Sequence, residues 1–339
     1  MAHSRPIIAF SLAFTLLFAH AVNSFGQDRI QRIAFGSCSR QDIAAQLWDD
    51  VLINRPDLWI WLGDNIYGDT EDMEVMREKY MTQKSHAGYQ QLIRTTPVYG
   101  VWDDHDYGVN DGGKEYPMKA ESKELMMEFL DITAENEVRH REGTYQAYML
   151  GNDEERICLI LLDTRYFRDE LMHDASGRSR YLPNPDGDIL GETQWEWLEE
   201  QLKNNDAPLT LIASSIQVIP EEHPYEKWAN FPAARSRLMN LISQYGTGRT
   251  VILSGDRHIA EISHWKNGDG GPDIYEFTSS GLTHTWSSER AEANRHRIGE
   301  LYIRKNFGLI HIDWNSSPPS LILEVRGEGN VLYGQQEIE

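Results

Sequence analysis

Five apolar runs in this chain each stop at a glycine or a turn, and residue types that bind metals follow at once. They are "RIAFGSC" (Cys38), "LWIWLGDNIYGD" (Asp64 and Tyr67), "TPVYGVWDDHD" (Asp103 to Asp106), "LTLIASSIQ" (Gln217) and "TVILSGDRH" (Asp256 and His258). Runs that are apolar throughout, rather than alternating, read as strands buried on both faces. In open parallel sheets, functional groups gather beyond the carboxyl ends of the strands. Neighbouring strands of this kind would carry a thiol, a phenol, carboxylates and imidazoles to one edge, the composition of a two-metal site. Each piece also has a plainer reading. Asp-Asn and Asp-Asp after glycine are ordinary turn residues. His258 suits a hydrogen-bonded core position, His105 a solvated loop, and Tyr67 a buried ring with a wet hydroxyl. Turns alone have no need of cysteine, tyrosine and histidine, so the repetition favours a site.

Between and after these runs lie amphipathic stretches. "QDIAAQLWDDVLINRP" puts Ile43, Leu47, Val51 and Leu52 on one face and stops before Pro56, which predicts a helix. "GETQWEWLEEQLKNN" and "ARSRLMNLISQYGTG" predict two more, the first with acids early and Lys203 late, as the helix dipole favours. Beyond about residue 250 strands dominate: "AEISHWK", "DIYEFTSSG", "GELYIR", "FGLIHIDW" and "SLILEVRG", with "KNGDGGPD" reading as a hairpin turn. Residues 108–138 read as loop and helix outside the sheets. An early strand–helix alternation followed by consecutive strands predicts a mixed α/β fold with two stacked sheets and outer helices.

With 339 residues the chain can bury a large core, and it shows no repeat and no low-complexity tract. Its 53 acidic against 32 basic side chains leave a formal charge of −21, a field that repels nucleic acid and anionic membranes. The first 26 residues carry Arg5, an apolar stretch from Pro6 to about Ala21 and then small residues. This is the form of a secretory signal peptide, cleaved after Ala21, Ser24 or Gly26. A membrane anchor is the alternative, although the stretch falls short of the ~20 residues a span needs. The expectation is therefore an exported protein, periplasmic or extracellular, with no stable membrane span in its mature form and a single domain over residues 27–339.

Cys38 and Cys158 are the two cysteines, and export makes a disulfide between them one reading. Cys38 also reads as a metal ligand, or as a nucleophile with His258 as its base in an acyl-transfer hydrolase. A non-catalytic binding protein stabilised by metals is a further alternative.

The combination "GDNIY", "WDDHDYGVND", "LLDTRYFRD", "ILGETQWEWLEEQL" and "SGDRHIAEI" resembles the alkaline phosphatase D (PhoD-like) family of the metallophosphatase superfamily, from about Ile33 to about Trp286. The resemblance implies a four-layer αββα sandwich of two mixed sheets. It also implies hydrolysis of phosphomonoesters or phosphodiesters by hydroxide generated at a dinuclear metal centre. Cys38 then stands in the opening metal-binding element, Asp64 in the bridging position, and Tyr67 as the tyrosinate that accompanies ferric iron. Asp104 takes the second-metal position, with Asn110 beside it. His105 stands next to the leaving group, Asp256 nearer the second metal and His258 nearer the first. The element that usually supplies another histidine offers only Ser214, Ser215 and Gln217. The first site so implied favours Fe³⁺ and the oxygen-rich second site Ca²⁺. Arg165 and Arg257 are candidates to hold a phosphoryl oxygen, with structural ion pairs as their plainer reading. The substrate implied is a small-molecule or polymeric phosphoester.

Overall fold

The computed structural model describes residues 29–152, 154–177, 179–266, 272–286 and 292–339. The signal-peptide segment and most of the "KNGDGGPD" turn lie outside the described residues.

In chain order the first half contains β1 (Arg32–Gly36), α1 (Trp48–Ile53), β2 (Leu58–Leu62), α2 (Met73–Ser85), α3 (Ala87–Thr95), β3 (Val98–Val101), the single turn α4 (Asp104–Tyr107), α5 (Lys119–Phe129), β4 (Gln146–Leu150) and β5 (Ile157–Leu161). A two-stranded ribbon follows, β6 (Met172–His173) with β7 (Tyr181–Leu182), then α6 (Gly191–Lys203), β8 (Leu209–Ala213), α7 (Pro232–Tyr245) and β9 (Arg249–Ser254). The strand-rich end holds β10 (Ala260–Trp265), β11 (Ile274–Ser279), β12 (Arg297–Tyr302), β13 (Asn306–Asp313), β14 (Ser320–Gly327) and β15 (Leu332–Ile338).

Two mixed sheets result. One has the order β15-β14-β13-β1-β2-β3, the other β12-β10-β11-β9-β8-β5-β4. β1, β2 and β3 run parallel in the first, and β5, β8, β9 and β11 in the second. These are the strands whose carboxyl ends carry the chemistry.

Alternation along the central strands assigns each residue to a layer, since successive side chains point to opposite faces. Ile33, Phe35, Leu58, Ile60 and Leu62 face Leu159, Leu211, Val251, Leu253 and Phe277 in the core between the sheets. Phe35 meets Phe277 edge-on at 4.9 Å. The other faces of the same strands present Ala34, Trp59 and Trp61 to α1, α2, α3 and α5, and Ile160, Ile212 and Ile252 to α6 and α7. Helices therefore cover both outer faces, and the four-layer sandwich expected from the sequence is the architecture found. Among the described residues, no helix is long and apolar enough to cross a membrane.

One helix is shorter than its apolar period predicts: α1 begins at Trp48, not Gln41. The preceding residues are tied to other parts of the fold. Gln41 Oε1 accepts the Tyr67 amide at 2.9 Å, and Gln46 Nε2 donates to Arg40 O at 3.2 Å. These tertiary bonds outweigh a helical preference worth only tenths of a kcal/mol per residue.

Both cysteines are buried and free, so the disulfide reading is set aside. Cys158 packs on the outer face of β5 against the α6–α7 layer, away from the strand ends. Cys158→Ser is expected to leave metal content and turnover unchanged and to cost about 1 kcal/mol of stability. A chemical-denaturation midpoint measured beside an elemental assay checks both.

Candidate metal centre

The strand ends put Cys38, Asp64, Asp104, Asp256 and His258 into one cluster. Donor atoms of Cys38, Asp64 and His258 lie within 4.8 Å of one another, as do those of Asp64, Asp104 and His105, and those of Asp103, Asp104 and Asp256. Asp64 belongs to the first two groups and Asp104 to the last two, so the groups are contiguous. Tyr67 Oη sits 3.3 Å from Asp64 Oδ2 and 3.0 Å from His258 Nε2, while Cys38 Sγ is 3.4 Å from Asp64 Oδ2.

The backbone at these positions is unusual. Cys38, Asp64, Asp256 and His258 hold φ of 59°, 49°, 64° and 56°, left-handed values that cost a non-glycine residue about 1–2 kcal/mol. Strain of this kind persists where surrounding bonds over-determine it, and it clusters at functional sites. Asp106 supplies much of the restraint here. Its carboxylate accepts the amides of Asp64 (3.2 Å), Asn65 (3.3 Å) and Asp103 (2.6 Å) and the Asn65 side chain (2.6 Å). One buried side chain thus ties the end of β2 to the end of β3.

The electrostatics are those of many acidic donors packed into one buried cluster. Burial, then Asp64 and Asp256, pushes the Cys38 thiol well above its usual range. Burial, then Cys38 and Asp64, does the same to the Tyr67 phenol. Burial raises Asp64 and Asp103, and raises Asp256 to about 7, while His105 and Arg165 outweigh burial and hold Asp104 low. Asp64 Oδ1 and Asp103 Oδ2 are buried with no hydrogen-bond donor. Buried acceptors without donors are costly, and a divalent or trivalent cation is the partner this donor chemistry fits.

The remaining sequence candidates fall in different places. His105 Nδ1 bonds Asp69 Oδ1 at 2.7 Å, which leaves Nε2 as the free ring nitrogen beside Asp64 and Asp104. Burial opposes its charge, yet Asp64, Asp104 and Asp69 outweigh burial and push its pKa up to about 11. Asn110 is exposed and donates to Asp111 Oδ2 at 2.7 Å, so the structure does not draw it into the buried cluster. Gln217 is directed elsewhere, its amide donating to Glu261 and Thr278 at 2.7 and 2.8 Å. Ser215 donates to Asp103 Oδ1 at 2.7 Å.

Neither arginine is offered to a substrate. Arg165 is fully buried between Asp103 Oδ1 (2.6 Å from Nε) and Glu226 Oε2 (2.7 Å from Nη1). Arg257 pairs with both Glu292 oxygens at 2.8 Å and lies over the Tyr225 ring. Both guanidinium groups are committed to ion pairs, which favours the plainer reading, although Arg165 Nη2 and Arg257 Nε are left without a hydrogen-bond partner. The cysteine-nucleophile reading also lacks its geometry. His258 Nε2 bonds Tyr67, and Cys38 meets a carboxylate that raises its pKa, the reverse of what activates a thiol.

Two participants were missed in the sequence, and a third was named without a role. Asp103, one of the candidates at the end of "TPVYGVWDDHD", aims an unpartnered oxygen into the cluster. Asp69, which holds His105, sits in a loop with no distinguishing pattern. His284 Nε2 lies 3.2 Å from Tyr67 Oη. It follows the run "DIYEFTSSG", so the strand-end rule that located the others would have found it.

A model of the PhoD-like phosphatase family matches residues 33–316. Alkaline phosphatase D of Bacillus subtilis is 24% identical over an alignment of 218 residues that covers 56% of this chain and 35% of that protein, so the match spans about a third of the relative's length. A solved structure of PhoD superposes with a TM-score of 0.73 at 17% identity, covering 92% of this chain and 72% of the other. A dimetal phosphatase from Danio rerio gives 0.59 at 14% identity, covering 92% and 99%. GAP50, the anchor in the inner membrane complex of Plasmodium, gives 0.59 at 10% identity, covering 92% and 89%. The last shows that the fold is shared by a protein described as an anchor, so function has to be argued from the site. Matched by the family model over most of its length and carrying the family's motifs at its strand ends, the chain belongs to the PhoD-like phosphatases.

Proposed function

We propose that the protein is a metal-dependent phosphoester hydrolase that works outside the cytoplasm. The observation that carries this reading is the contiguous donor cluster in which Asp64 is shared by two groups of ligand atoms. Cys38, Tyr67, Asp64 and His258 would hold a first cation, and their thiolate, phenolate, carboxylate and imidazole suit Fe³⁺. Asp64, Asp104 and Asp256, joined by Asp103, would hold a second, and their oxygen donors suit Ca²⁺. When bound, such cations acidify water and offset the charge that builds on phosphoryl oxygens.

The chain's own groups do the rest. Asp69 fixes the His105 ring through Nδ1, so that Nε2 can present a proton to the departing ester oxygen. Asp64, Asp104 and Asp69 favour the charged imidazolium, the form that has a proton to give. Arg165 acts as a positioning residue through Asp103. The substrate read from the site is a phosphoester, small or polymeric, and the acidic surface argues against nucleic acid as a partner. Export is supported by the signal-like first 26 residues.

The test is hydrolysis of mono- and di-p-nitrophenyl phosphate by natively purified protein, with and without chelator. Chelator-sensitive turnover restored by metal is expected, together with visible absorption from phenolate-to-iron charge transfer. Activity indifferent to chelator but lost on thiol alkylation would sink the metal reading. A colourless, active protein containing only zinc would sink the ferric assignment.

A further inference from the structure

His284 has no task in the reaction proposed above, yet it is one of the most constrained side chains at the site. The segment that delivers it is stitched to the loop that delivers Cys38. Leu282 N donates to Ser37 O at 3.2 Å, Thr283 Oγ1 donates to Cys38 O at 3.0 Å, and Arg40 N donates to Thr283 Oγ1 at 3.0 Å. Thr283 Oγ1 in turn lies 2.9 Å from His284 Nδ1, which fixes the ring and leaves Nε2 3.2 Å from Tyr67 Oη. The ring also meets His258 at 4.4 Å and Tyr67 at 5.2 Å, both edge-on.

Three groups therefore surround one phenol oxygen: Asp64 Oδ2, His258 Nε2 and His284 Nε2. Asp64 and His258 belong to the donor group that would hold the first cation, whereas His284 is the one held from behind by a hydroxyl. Outer hydrogen-bond partners of this kind orient a metal ligand and tune its basicity. Thr283 Oγ1 spends its own proton on Cys38 O, so the His284 ring donates to it through Nδ1 and presents Nε2 to Tyr67 Oη as an acceptor.

We infer that His284 is a positioning residue for Tyr67, holding the phenol oxygen against the Cys38–Asp64–His258 group. This rests on the proposed metal reading. A phenolate-to-iron transition depends on how the phenol oxygen is held, so loosening Tyr67 changes the band.

The test uses the full-length protein loaded with ferric iron, read by visible absorption and by iron bound per chain at limiting iron. His284→Ala is expected to move or weaken the band and to weaken iron retention about 10–100-fold. His284→Gln, whose amide can bond the same oxygen, is expected to recover part of both. A wild-type protein that binds iron without a visible band would bring down the first-site reading itself. A wild-type band left unmoved by His284→Ala, with iron retention unchanged, would overturn this inference alone. If His284→Ala does not fold, His284→Phe, which keeps the ring and removes both nitrogens, decides: a moved or weakened band upholds the inference, and an unmoved band with unchanged iron retention overturns it.

Discussion

Asp64→Asn is expected to lower phosphoester hydrolysis by at least ~10³-fold and to strip cations from both groups, while the unloaded protein remains folded. The position explains why one substitution reaches so far, since Asp64 contributes to the Cys38–His258 group and to the Asp104–His105 group at once. The effect on stability should have the opposite sign to the effect on activity. Without cations Asp64 is buried among Asp103, Asp104 and Asp106, and burial raises its pKa well above the ordinary carboxylate range. An asparagine of the same shape avoids ionising there, so the unloaded variant should be at least as stable as unloaded wild type. Wild type should then gain about 4 kcal/mol when metal is present at a thousand times its dissociation constant, and the variant nearly nothing. Thermal unfolding with and without metal distinguishes the cases. A variant still stabilised by metal, or still active, would refute the shared-ligand assignment.

The same cluster sets a pH dependence for metal uptake. Asp256 is pushed up to about 7, and Cys38 and Tyr67 lie well above their usual values. A cation must displace protons from these groups, so apparent affinity should rise as pH increases through about 7, with protons released on binding. Calorimetric titrations in buffers of different ionisation enthalpy count those protons.

How far the site could be read in advance follows from where its parts lie. Cys38, Tyr67, Asp64, Asp104, Asp256 and His258 were legible because each directly follows an apolar run, and a buried parallel strand is the clearest pattern a sequence offers. The two sheets were legible for the same reason. The supports were not. Asp106 joins two strand ends, Asp69 reaches His105 from 36 positions away, and Arg165 spans 62 positions to Asp103. Long-range pairing of this kind leaves no local period. The early start predicted for α1 failed for a related reason. Gln41 and Gln46 look like helix formers, but the loop uses their amides to hold Tyr67 and Arg40.

The pairing of Arg165 carries the second large effect. Arg165→Met is expected to cost about 3–5 kcal/mol. The guanidinium is fully buried, and so are Asp103, Glu226 and Arg168, which pairs with Glu226 at 2.9 Å. Removing Arg165 leaves Asp103 with Ser215 as its side-chain donor and Glu226 with Arg168 as its one cation. Asp103 would answer by taking up a proton, because burial raises its pKa and Arg165 is the first group that opposes this. A protonated Asp103 offers a weaker ligand to a cation at Asp104 and Asp256, so affinity for that cation should fall together with stability. Arg165→Lys should recover only part of either loss, since a single ammonium cannot replace a fork that spans two carboxylates. Asp103→Asn in the Arg165→Met background should restore stability without restoring cation binding, because it removes the stranded charge and the ligand together. Denaturant midpoints and calcium titrations of the four proteins separate these contributions. A loss below about 1 kcal/mol for Arg165→Met would place the pair among the ion pairs that add nothing measurable, and the positioning role assigned to Arg165 would fall with it.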